Sequence, residues 1–132
     1  MPEELFWLTL TILMTALFWV PYVLSRIAVR GLWGAMANPT PDAAEVPAWT
    51  DRAERAHRNA IENLVLFAPL VLASFAMGLD PTFTATAAMI YFFARAAHFV
   101  IYAAGIPVAR TLLFAIGFAA QLALALRLLG AV

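Results

Sequence analysis

Cysteine is absent from all 132 residues, so the chain can build neither a disulfide nor a thiolate metal site. Lysine is absent as well: all eight basic residues are arginine, balanced by eight acids to a formal net charge of zero. That balance argues against nucleic acid as a partner, which would demand a basic face. Charge of either sign is scarce, at 12% of residues against 64% hydrophobic, and mean hydropathy is +0.87. A soluble domain carries about twice that share of charge, so the composition excludes an ordinary soluble fold and indicates an integral membrane protein. No internal repeat and no low-complexity segment is present.

The few charges divide the sequence into apolar stretches: Leu5 to Ser25, Asn63 to Leu79, Pro81 to Ala94 continuing past Arg95 to Ala109, and Thr111 to Leu126. A span needs roughly 20 residues, and four helices follow, over about residues 5–29, 51–78, 81–104 and 108–129 of one all-α domain covering 1–132. The first stretch has neither the short core nor the cleavage pattern of a signal peptide, so it reads as a retained span. Gly78 ends the second helix, Asp80-Pro81 supplies a cap and a first-turn proline for the third, and Gly105-Ile106-Pro107 separates the third from the fourth. Such short connections make neighbouring helices antiparallel. The one long connection runs from about Gly31 to Trp49 around Asn38-Pro39-Thr40-Pro41-Asp42. Asp51 with Glu54 predicts a capping box at the start of the second helix, and Pro21 predicts a kink or break in the first.

Orientation follows from arginine placement. Arg26, Arg30, Arg52, Arg55 and Arg58 flank the first connection and Arg110 the third, whereas the other ends carry Glu3, Glu4, Asp80 and Arg127. The positive-inside rule then puts the long first loop in the cytoplasm and both termini outside. Trp7, Trp19, Trp33 and Trp49 read as interface anchors.

Arg55, Arg58, Asn59 and Glu62 follow an i, i+3, i+4, i+7 pattern and share one helix face. A charge as deep as Glu62 costs a few kcal/mol or more unless it faces protein, water or a counter-ion. Arg95, His98 and Tyr102 form a second stripe on the third helix, Arg30 closes the first helix, and Arg110 opens the fourth. Four segments thus deliver arginine, carboxylate, imidazole, amide and phenol to one layer near the cytoplasmic face, a composition suited to a pocket for a small anion with more than one carboxylate. Exclusive use of arginine favours forked recognition of carboxylates, although a GC-rich genome gives the same bias. Bland alternatives stand beside this: Arg55 and Arg58 snorkelling to headgroups, an Arg58–Glu62 ion pair, Arg95 bonded only to Glu62 or Asn59, and His98 or His57 as satisfied structural residues.

The run Glu54-Arg55-Ala56-His57-Arg58-Asn59-Ala60-Ile61-Glu62 resembles the second-helix signature of the MAPEG family, the membrane-associated proteins of eicosanoid and glutathione metabolism. Arg95-Ala96-Ala97-His98-Phe99-Val100-Ile101-Tyr102 resembles that family's third-helix motif, and Ala37-Asn38-Pro39 after Arg30 its first cytoplasmic loop. The resemblance implies a homotrimer of four-helix protomers with glutathione held between subunits, bound by Arg30, Arg55, Arg58, Asn59, Glu62, His98 and Tyr102; Arg95, in the same polar layer, is read as a further glutathione-binding residue. It also implies that Arg110 stabilises the thiolate. The implied activity is transfer of glutathione to, or reduction of, a lipophilic electrophile dissolved in the bilayer, with no metal. Phe114 and Thr111 depart from the tyrosine and serine of the prostaglandin E synthase branch. The short loops and terse termini resemble bacterial members, which implies a bacterial inner membrane. A rival reading keeps the fold as a non-catalytic lipid-binding or scaffold subunit of a larger membrane complex.

Overall fold

The computed structural model describes residues 1–132 as five helical segments with no strand: α1 Glu3–Leu17, α2 Trp19–Met36, α3 Ala48–Ala76, α4 Pro81–Ala104 and α5 Pro107–Leu128. α1 and α2 continue one another, so the chain has four rods long and apolar enough to cross a membrane. Their junction at Phe18 follows from Pro21, which has no N–H to offer the Leu17 carbonyl four residues back. Phe18 N closes a tighter turn onto Thr15 O at 3.3 Å.

The first rod runs past residue 29. Gly31 takes a left-handed φ of 72°, bends the chain, and lets a last turn continue to Met36 with Leu32, Trp33 and Met36 exposed. α3 likewise begins before Asp51, at Ala48, and the expected capping box does not form: Pro47 precedes the helix and no side chain caps it. Asp51 and Glu54 turn instead to Arg26 of α2, where a charged partner outweighs a backbone amide. The other ends match their signals. Asp80 accepts from Thr82 N at 3.0 Å ahead of Pro81, and left-handed Gly78 and Gly105 close α3 and α4 with Leu79 N to Ser74 O at 3.0 Å and Ile106 N to Ile101 O at 3.2 Å.

α3 packs against every other helix, and α4 against α1, α3 and α5. Toward one end Leu8, Phe67, Val71, Ala87, Ala88, Tyr91, Ala120 and Leu124 form a core in which Phe67 stacks on Tyr91 at 3.7 Å. Toward the arginine-rich end Ala53, Ala56 and Ala60 are buried against Phe18, Tyr22 and Phe99, small side chains that let α2 and α3 approach closely. The 29 residues of α3 span roughly 43 Å, about 13 Å more than a bilayer core. Arg52 and Arg55 lie in the first three turns of this helix and Glu62 near its middle. Trp19, Trp33 and Trp49 are exposed, whereas Trp7 is half-buried and packs on Phe92 and Phe93.

Candidate functional site

Helix periodicity puts Arg95, His98 and Tyr102 of α4 on the side facing α3 and α5. Arg95 and His98 are each only 2% exposed. Inside a membrane such groups must find partners in the protein, and Arg95 finds one on α3, where its Nη2 donates to Asn59 Oδ1 at 2.6 Å. The network continues sideways: Asn63 Nδ2 donates to Asn59 O at 2.8 Å, and Gln121 Nε2 of α5 donates to Asn63 O at 3.2 Å. These bonds, which step along one turn of α3, tie α4, α3 and α5 together.

Beside it lies a cavity of about 290 Å³ lined by Asn59, His98, Tyr102, Arg110, Thr111 and Phe114. Pro107 at the first position of α5 starts a helix whose first turn carries Arg110 to this cavity. The Arg110 guanidinium lies over the Tyr102 ring at 4.5 Å, and Tyr102 meets His98 edge-on at 5.6 Å. The lining thus holds one guanidinium and no carboxylate, a positive cavity with an aromatic wall. His98 Nδ1 is buried and has no hydrogen-bond partner within the chain.

Four of the sequence-predicted residues, Asn59, His98, Tyr102 and Arg110, are brought together here. Arg95 stands behind them, occupied by Asn59 rather than lining the cavity. Arg55, Arg58 and Glu62 point away from the bundle and are exposed. The ion pairs of the chain are both made by Arg26, so the Arg58–Glu62 pair considered from spacing is not formed. Arg30 lies in a different cavity, of about 380 Å³, walled by the end of α2 and the loop through Ala44, whose carbonyl accepts from Arg30 Nε at 2.8 Å. His57 is structural, sharing a 2.8 Å hydrogen bond with Tyr22. Sequence reasoning missed Arg52, whose Nε donates to Ala103 O at 2.9 Å; no spacing rule links residues so far apart.

A membrane bundle of four apolar rods with a cationic cavity near one end is the class that fold and site define. The chain belongs to the MAPEG family, whose model matches residues 5–130, nearly the whole chain. Membership fits a glutathione-related function at the membrane. Among curated proteins none matches the chain.

Proposed function

We propose that this protein is a homotrimeric, glutathione-dependent transferase or peroxidase that acts on lipophilic electrophiles drawn from the bilayer. The observation that carries the reading is the cavity in which Arg110 faces His98, Tyr102 and Asn59. Its residues suit the ligand: Asn59, Tyr102 and Thr111 on the cavity wall offer neutral polar groups for the peptide bonds of glutathione. Guanidiniums suit its two carboxylates. Glutathione supplies a thiol of ordinary pKa about 8.5 whose ionised sulfur bonds to an electrophilic carbon as a leaving group departs, or attacks a peroxide oxygen. In the peroxide case the O–O bond breaks, the alcohol leaves after taking a proton, and the resulting sulfenic acid condenses with a second glutathione to disulfide and water. Arg110 stabilises the negative sulfur.

The exposed stripe supports association between copies, which we take to be the trimer. Glu62 and Arg58 face outward without partners in a helix at membrane depth, a costly arrangement for one protomer alone. A neighbouring copy covering this face, and bringing its own Arg30 to it, completes a carboxylate-binding set. The first test is a glutathione titration of the purified protein, read by thiolate ultraviolet absorbance, with mass measurement in mild detergent. Saturable thiolate formation in a trimer is expected. Binding without thiolate or turnover would favour the scaffold or lipid-binding alternative, and a monomer that binds glutathione would defeat the shared site.

Arg58→Ala and Glu62→Ala are each expected to weaken glutathione binding by about 10- to 100-fold, the scale of one hydrogen bond to a charged group. Calorimetric titration of a folded variant checks this. Unchanged affinity in Arg58→Ala would return that stripe to headgroup snorkelling.

A further inference from the structure

We propose that Arg52 is a positioning residue for the site, holding Arg110 in place through the turn between α4 and α5; the inference rests on the function proposed above. The last carbonyls of a helix lack donors within it. At the end of α4 the Ala103 carbonyl is served from another helix, by Arg52 Nε at 2.9 Å. The same guanidinium lies against Gly105, where a Cβ would stand 3.1 Å from Arg52 Cζ and 3.2 Å from Nε, at a φ of 79° that L side chains rarely adopt. Gly105 therefore both makes the turn and admits the arginine.

Both ends of this turn belong to the cavity. Tyr102 precedes Ala103, its carbonyl accepts from Gly105 N at 3.0 Å, and Arg110 N donates to Ile106 O at 3.2 Å. Beyond the turn the Arg110 guanidinium returns to the Tyr102 ring. Gly105 through Val108 are exposed, so Arg52 is the side chain that ties this segment to the long helix α3, from which Asn59 also reaches the cavity. Arg52 itself does not line the cavity; its effect passes through the geometry of Arg110. Misplacing a reacting group by about 1 Å can cost about 10²-fold, so loosening the turn by less is expected to cost about tenfold in kcat.

The test compares the parent with Arg52→Ala, Arg52→Lys and Gly105→Ala. The readouts are glutathione affinity, the pH at which bound glutathione ionises, kcat, and amide hydrogen exchange at Gly105, Ile106 and Arg110. Arg52→Ala is expected to speed exchange at the turn, raise the pH of thiol ionisation and lower kcat, while affinity changes little. Arg52→Lys should recover part of this, since an ammonium still serves the carbonyl without the fork. Gly105→Ala should reproduce the defect by pushing the guanidinium away, and with Arg52→Lys it carries the test if Arg52→Ala does not fold. Faster exchange with unchanged thiol ionisation in every folded variant would reduce Arg52 to a helix cap and overturn the proposal alone. A parent that binds glutathione but never ionises it would overturn the proposed function as well, before any variant is compared.

Discussion

Arg110→Ala is expected to lower kcat by about 10²–10³-fold, the scale for removing one donor from a developing anion. Arg110 is the only charged group lining the cavity, and its guanidinium is held over Tyr102 rather than by a carboxylate. No internal counter-ion therefore competes for it, and its charge is available to whatever anion enters. Glutathione affinity depends in the proposed site on several other groups, so the KM for glutathione should change far less than kcat. That split marks stabilisation realised mainly in the reacting state. The pH at which the bound thiol ionises should rise in parallel, because the thiolate has lost its nearest cation. Arg110→Lys should recover part of the rate, keeping charge without fork geometry. Steady-state kinetics with a halonitrobenzene checks the expectation. An Arg110→Ala variant as fast as the parent would remove this residue from the chemistry and point to Arg30 or Arg58 of a neighbouring copy.

Much of this arrangement is legible in the amino-acid sequence, and the boundary of what is legible has physical causes. Gly78, Asp80-Pro81 and Gly105-Ile106-Pro107 mark helix ends because each acts on its own backbone within a few residues. The start of α3 is not legible in that way. Asp51 and Glu54 have the spacing of a capping box, yet Arg26 of another helix takes both carboxylates, a tertiary preference that overrides a local one. Periodicity reveals the polar stripes, but not which residue of a stripe turns inward. Asn59 meets Arg95 inside the bundle, while Arg55, Arg58 and Glu62 face out. The role of Arg52 depends on the packing of α3 against the end of α4, which leaves no trace in either segment alone.

Asn59→Leu is expected to destabilise the protein by about 3 kcal/mol, the upper range for orphaning a buried donor because this donor is charged. Arg95 makes one hydrogen bond, to Asn59 Oδ1, and its Nε is already buried without a partner. Losing Asn59 leaves the guanidinium uncompensated between helices, whereas Arg95→Met leaves only a neutral amide and should cost about 1–2 kcal/mol. The double variant should then be more stable than Asn59→Leu alone, a non-additivity expected of groups in direct contact. Denaturation midpoints in one detergent measure all three. If Asn59→Leu proves no worse than Arg95→Met, water or lipid headgroups must already reach Arg95. The same pair also orients the site. Because Oδ1 accepts from Arg95 at 2.6 Å and Asn59 lines the cavity, its Nδ2 is the group left to donate to a ligand. Asn59→Asp separates the two roles: a carboxylate beside Arg95 should hold stability at or above that of the parent. It also replaces the donor by an acceptor and adds negative charge to the cavity wall, so glutathione should bind about tenfold or more weakly. A stable Asn59→Asp protein that keeps full affinity would show that Asn59 serves Arg95 and the fold, not the ligand.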